Sequence, residues 1–165
     1  MPPRRSTIAA ELPVDSPDRR RLPPLLRRAW YGLNQAFRRR IIHTGLTPDQ
    51  FTALRNLSEA GRTGLIQSEL TAQMSSDPNT IASLVDRMNK AGLIDRAPDA
   101  DDRRAYRLKI NATGRKRYTE ARRVAVELQE AVMQSVPAAE REAFLSRLNA
   151  VADACLEVAG KSSRG

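Results

Sequence analysis

The sequence predicts a mainly α-helical fold carrying one small β-hairpin. Two local patterns and one compositional fact lead there. Between Gln67 and Lys90, two apolar periods of helical spacing are separated only by Ser75, Ser76 and Asp77. Shortly after them, Tyr106, Leu108 and Ile110 alternate with Arg107 and Lys109, the period of a half-buried strand. Aromatic residues make up 4% of a chain that is 41% hydrophobic, a balance that favours helices over an extensive sheet. At 165 residues the chain is one domain, or one domain with extensions.

The first segment, residues 1–23, holds Pro2, Pro3, Pro13, Pro17 and Pro23 with scattered charge and no apolar period. It reads as a disordered or loosely attached arm, whose arginines add at most non-specific phosphate contacts. Pro24 is expected to open a long helix running to about Thr44 and closed by Gly45, so that residues 24–45 form one element. Leu26, Trp30, Leu33 and Phe37 line one face of it, flanked by Leu25, Ala29 and Ile41. That face is too apolar for an isolated surface helix. Arg38, Arg39 and Arg40 stand at the C-terminal end, where cations suit the helix dipole. His43 is the sole histidine and has no cysteine nearby, so no metal site is expected there; a capping or partly buried role is.

Residues 46–110 carry the most informative pattern. Thr47, Pro48 and Gln50 form a helix start, with Phe51, Leu54 and Leu57 on one face and Gly61 as the stop. Gly64 to Ile66 makes a very short strand. A helix from Gln67 to Met74 follows, with Ile66, Leu70 and Met74 at fourfold spacing. Asp77 is suited to cap the next helix and Pro78 to its first position, because proline lacks the N–H that would find no partner there. That helix buries Ile81, Leu84, Val85 and Met88 and ends at Gly92. Its outward stripe is Asn79, Thr80, Ser83, Arg87 and Lys90, with polar groups first and cations later. Leu93, Ile94 and Arg96 then leave as a strand. The polar loop Pro98 to Ala105 leads into the second strand.

Helix, turn, helix and arginine-tipped hairpin, in that order, make a winged helix-turn-helix. In such a fold Asn79, Thr80, Ser83 and Arg87 face base edges in the major groove and Lys90 faces the backbone. Arg103 and Arg104 at the hairpin tip suit a narrow, electronegative minor groove. Asp99, Asp101 and Asp102 run against the charge of DNA. They are expected to shape the loop through side-chain to backbone hydrogen bonds and to orient the arginines. The competing interpretation is a winged-helix module that binds protein, which has no need of the polar and basic stripe.

Residues 111–160 read as two helices. Thr113 is expected to cap the first, with Tyr118, Ala121, Ala125, Leu128 and Val132 in a three-four repeat to about Ser135. Pro137 starts the second, with Phe144, Leu148, Val151, Cys155 and Val158. These seams are coiled-coil-like. A small winged core cannot cover them together with the N-terminal helix, so an intertwined homodimer is expected. An intrachain three-helix bundle is the alternative.

The formal net charge of +9 and a pI near 10.7 point to a polyanionic partner. No apolar run reaches membrane-spanning length and no basic amphipathic helix with an aromatic face is visible, so a cytoplasmic protein without a membrane role is expected. Cys155 is the only cysteine, which rules out an internal disulfide; its place on the apolar seam suggests an inert, buried thiol. There is no His/Cys/Asp cluster, no glycine-rich phosphate loop and no nucleophile elbow, and adjacent carboxylates on an exposed loop are poorly placed for acid catalysis. No enzyme, cofactor or metal is expected.

The run from Asp77 to Arg96 resembles the recognition helix and first wing strand of the multiple antibiotic resistance regulator (MarR) family. Asp101 to Arg115 resembles that family's wing, second strand and start of the next helix; Asn111 departs from the usual apolar residue. The similarity spans about residues 25–159. It implies a dimeric regulator of transcription bound to a pseudo-palindromic operator in double-stranded DNA, with repression relieved by a small phenolic or other aromatic ligand. The implied pocket would draw on Trp30, Leu33, Asn34 and Phe37, with Arg62 or His43 as polar partner, although large aromatics at helical spacing are more often core. Some relatives sense peroxide through a cysteine near the start of the first helix; that stretch here has none.

Overall fold

The computed structural model describes residues 13–102 and 104–162. The chain falls into two compact units, one ending at Val124 and the other beginning at Ala125. In order, the elements are α1 (Leu22–Ile41), a 3-10 turn (Ile42–Thr44), α2 (Pro48–Glu59), β1 (Leu65–Ile66), α3 (Gln67–Gln73), α4 (Pro78–Lys90), β2 (Ile94–Pro98), β3 (Tyr106–Ile110), α5 (Ala112–Met133), a second 3-10 turn (Ala138–Glu140) and α6 (Arg141–Ser162).

The start of α1 lies two residues ahead of the expected Pro24. Pro23 and Pro24 both fit its first turn, where backbone N–H groups have no helical acceptor. At the other end the helix tightens into the 3-10 turn, closed by Gly45. Helix α2 begins with a complete capping box. Thr47 Oγ1 accepts from the Gln50 N–H at 3.2 Å, and Gln50 Oε1 accepts from the Thr47 N–H at 3.0 Å. Its inner face places Phe51, Leu54 and Leu57 in the core. Phe37 of α1 meets Phe51 edge-on with ring centroids 4.8 Å apart, and the Tyr118 ring of α5 lies 5.5 Å from that of Phe51. These three rings join α1, α2 and α5.

The sheet has the order β1-β3-β2, all antiparallel. Leu65 pairs with Leu108, and Ile94 pairs with Ile110. Pro98, expected in the loop, ends β2 opposite Tyr106, an edge position that needs no N–H donor. Tyr106 itself is 45% exposed, against the half-buried pattern expected of it, while Leu108 and Ile110 are buried.

Helix α3 closes with the N–H of Ser75 on the Ala72 carbonyl and that of Ser76 on the Thr71 carbonyl. Ser75 takes a left-handed φ of 48°, the position glycine usually fills. Asp77 then caps α4 through the Thr80 N–H at 2.9 Å. At its far end, α4 is closed by the same motif: Gly92, at φ 66°, donates to the Asn89 carbonyl and Leu93 to the Met88 carbonyl.

Asn111, not Thr113, caps α5. Its Oδ1 accepts the Gly114 N–H at 2.9 Å, and its Nδ2 donates to the Gly92 carbonyl at 3.0 Å. One side chain thus fastens the end of α4 to the start of α5. Its amide oxygen and nitrogen serve the two partners separately, which a threonine hydroxyl at Thr113 does not do here. Gly114 completes the junction. A Cβ there would run into the Leu93 backbone carbonyl. Pro137 opens the 3-10 turn rather than α6, which starts at Arg141.

Gly114→Ala is expected to destabilise the protein by about 1–3 kcal/mol, the range for forcing a methyl into packed structure. A urea midpoint shifted down at unchanged slope checks it; an unchanged midpoint would show that the junction yields.

Candidate nucleic-acid interface

Helix α4 is pinned from its buried side. Ile81, Leu84, Val85 and Met88 are almost completely inaccessible, and the helix packs against α3. The burial of that face leaves the other one free, and Asn79, Thr80, Ser83, Arg87 and Lys90 are all exposed. The Asp77 cap also fixes Thr80, whose hydroxyl donates to Asp77 Oδ2 at 2.5 Å. That hydrogen bond, followed by the one from the Thr80 N–H, lowers the Asp77 pKa from its ordinary value of 3.8. The first turn of α4 therefore presents Asn79 and Thr80 from an ordered start.

The wing carries a second ordering device that sequence reasoning only half found. Asp99 is 6% exposed. Its Oδ1 accepts the N–H groups of Asp101 and Asp102 at 2.9 and 3.0 Å. Its Oδ2 accepts from Arg107 Nε at 2.5 Å. The Asp99 N–H donates to the Ala105 carbonyl at 3.0 Å, closing the loop. Asp102 Oδ1 then accepts the Arg104 N–H at 2.9 Å. Loop shaping by Asp99 and Asp102 thus matches the expectation, while Asp101 makes no such bond among the described residues. The Arg107 pair was missed. It becomes visible only once the register places Pro98 opposite Tyr106. Arg104 is exposed next to this loop, and Arg103 lies outside the described residues.

Wing and recognition helix are also tied to each other. Arg96 of β2 donates to Asp86 of α4 at 3.3 Å, and its guanidinium lies 4.1 Å over the Tyr106 ring. This explains the exposed tyrosine: one face of its ring serves as a seat for the arginine. Nothing in the alternation pattern distinguishes that arrangement from a core tyrosine.

The residues expected to form a ligand pocket are scattered. Phe37 belongs to the core, against Phe51. Trp30 and Leu33 are exposed on α1, Trp30 by 62%. His43 is exposed in the 3-10 turn and makes no cap, against the expectation for it. Arg62 is exposed in the turn after α2. Asn34 lines a cleft of about 240 Å³, shared with Arg38, Thr47 to Gln50 and Arg87. Cys155, expected to be buried, is exposed in this chain along with most of the α6 seam. Among the described residues, no group of His, Cys, Asp or Glu side chains could hold a metal ion, and no helix is long and apolar enough to cross a membrane.

An ordered helix with a polar and basic outer face, followed by a stiff basic hairpin, defines a DNA-binding protein of the winged helix-turn-helix class. The comparisons make this more specific. The MarR family profile matches residues 46–106. The transcriptional repressor NicR of Pseudomonas putida is 30% identical over 129 residues, covering 78% of this chain and 80% of that one. Among solved structures, the regulator MosR of M. tuberculosis in complex with DNA is 28% identical with a TM-score of 0.65, over 80% of this chain and 96% of that one. CouR of Rhodococcus jostii bound to p-coumaroyl-CoA is 25% identical with a TM-score of 0.69, over 78% and 89%. The chain belongs to the MarR family of transcriptional regulators.

Removing the Asp99 carboxylate by Asp99→Ala should weaken DNA binding several-fold with little change in thermal stability, because a loop that orders only on binding costs affinity. The pH dependence has a definite sign. Hydrogen bonds from the Asp102 N–H, then Arg107, then the Asp101 N–H lower the Asp99 pKa from its ordinary 3.8. The clamp is then fully present above pH 3.8 and is lost as pH falls through the lowered value. The Asp99 side-chain carboxyl resonance should titrate with a midpoint below 3.8. A midpoint at or above 3.8 would refute the clamp.

Proposed function

We propose that this protein is a homodimeric, ligand-responsive repressor that binds a pseudo-palindromic operator through α4 and the wing. The observation that carries the reading is the exposed stripe on α4, held by a fully buried opposite face. Asn79, Thr80 and Ser83 address base edges, Arg87 and Lys90 form the cationic end of the stripe, and Arg104, with Arg103, enters the minor groove. A relative 30% identical to this chain is named a transcriptional repressor, and related structures hold DNA or p-coumaroyl-CoA. An aromatic acyl-CoA thioester or a free aromatic acid is accordingly the class of effector to test. We assign the chain a regulatory and not a catalytic role.

Dimerisation is supported by apolar surface that this chain leaves uncovered. Trp30 and Leu33 on α1, and Phe144, Leu145, Leu148, Leu156 and Val158 on α6, are all exposed. Large apolar side chains left uncovered along each of these helices mark an interface. Two copies related by a two-fold axis would offer two recognition helices about one turn of DNA apart.

Fluorescence anisotropy on a duplex from the gene's own upstream region, against a scrambled duplex and with salt varied, tests the reading. Preferential binding to the first is expected. Equal, steeply salt-dependent binding to both would reduce it to general phosphate affinity. Asn79→Ala should cost about 1–3 kcal/mol of discrimination at one operator position. Lys90→Ala should weaken both duplexes alike and flatten the logarithmic salt slope by about 0.9.

Leu148→Glu places a charge on the α6 seam. Sedimentation should show a shift from dimer toward monomer, with loss of operator binding at protein concentrations where the unaltered chain binds. A variant that remains dimeric would exclude this seam from the interface.

A further inference from the structure

The cleft beside α4 is not accounted for by the contacts proposed so far. It is lined by Asn34 and Arg38 of α1, the first residues of α2 from Thr47 to Gln50, and Arg87 of α4. Two arginines from different helices thus line it. Neither forms an ion pair or side-chain hydrogen bond among the described residues. The one opposing charge is Asp49, which leaves two positive groups against one negative. The start of α2 adds partial positive charge to the floor. Its Thr47 side chain and carbonyl are already taken by the N–H groups of Gln50 and Phe51, so the Asp49 N–H is left as a donor without an acceptor among the described residues.

Such a lining recognises an oxyanion. Two sources share that chemistry: a phosphodiester of DNA and a free phosphate or carboxylate. The cleft is polar and open, so it cannot bury the body of an aromatic effector, which needs a largely apolar enclosure. A phosphodiester, in contrast, stays partly in solvent. The cleft also adjoins the DNA-facing stripe, because Arg87 belongs to both. We propose that this cleft seats a backbone phosphate of the bound DNA, flanking the groove that α4 occupies, with Arg38 and Arg87 as its two cations and Asn34 as a further donor. Arg87 is thereby assigned to the backbone and not to a base edge, and α1 becomes part of the DNA footprint. This inference rests on the DNA-binding reading above.

Two exposed positions give opposite expected signs, and neither packs in the core. With the full chain and the duplexes described above, Arg38→Gln should weaken operator and scrambled DNA by the same factor and flatten the logarithmic salt slope by about 0.9, the value for one lost phosphate contact. Asp49→Asn should strengthen binding to both. The preference for the operator should be kept in each variant. Arg38→Gln with unchanged affinity and slope would overturn the proposal. In that event, inorganic phosphate titrated at constant ionic strength identifies the other source: saturable shifts of the Asn34 and Asp49 amides, absent in Arg38→Gln, would assign the cleft to a free anion. If the unaltered chain binds neither duplex, the DNA reading itself has failed, and a phosphate titration without saturable shifts would then also remove the oxyanion seat.

Discussion

The DNA-facing unit depends on the pairing of β3 along both of its edges. Leu108, wholly buried, lies between β1 on one side and β2 on the other. Everything from α3 to the end of α4 is the connection between those two flanking strands. Both ends of the helix pair are therefore fixed on one strand, and the orientation of α4 follows from the register of β3. A slip of one residue would exchange Leu108 and Ile110 for Arg107 and Lys109 on the inner face. The burial of two large apolar side chains thus sets the register, and the register sets where the recognition helix points.

Where the chemistry is local, the sequence displays it openly. The capping box of Thr47 and Gln50, the Asp77-Pro78 start of α4 and its Gly92 stop each involve residues within one turn, and their structural form agrees with the expectation. Asp99 and Asp102 as loop-shaping acids also belong here, because each bonds an N–H two or three residues away. What depends on register or on two elements meeting is not displayed. The Asp99 and Arg107 pair requires the hairpin alignment. Tyr106 has the position of a core residue in an alternating strand, and only the guanidinium of Arg96 makes its exposure sensible. Asn111 is the sharpest instance: as a sequence position it is a small departure from a family pattern, while in three dimensions it caps α5 and holds the end of α4.

The terminal helices pose a different problem. Their seams are clear in the periodicity of Phe144, Leu148 and Val151, yet a periodicity says only that a face is apolar, not what covers it. In α1 the same stripe divides. Phe37 and Ile41 are buried within the chain, while Trp30 and Leu33 remain exposed. A single helix thus serves an internal core at one end and offers apolar surface at the other. Burying that surface against a second copy releases water from it, at roughly 25 cal/mol for each Å² of apolar area removed. Fold stability and assembly are then linked through one helix, and the same helix brings Arg38 to the edge of the recognition surface.

Three acidic residues in a loop proposed to meet DNA look self-defeating, and for two of them the wing shows why they are not. A carboxylate repels a phosphate only to the extent that its charge is left unopposed and close. Asp99 is buried, with Arg107 against one oxygen and two backbone donors on the other, so little of its charge projects outward. Asp102 is engaged with the Arg104 N–H. The charge that remains exposed, on Asp101 and Asp102, is screened by salt over about 10 Å at ordinary ionic strength. In return the loop is ordered before DNA arrives, and an arginine entering a narrow groove gains more from being held in place than from one fewer distant negative charge. Asp99 and Asp102 contribute to binding through conformation, and a count of the loop's net charge misjudges them for that reason.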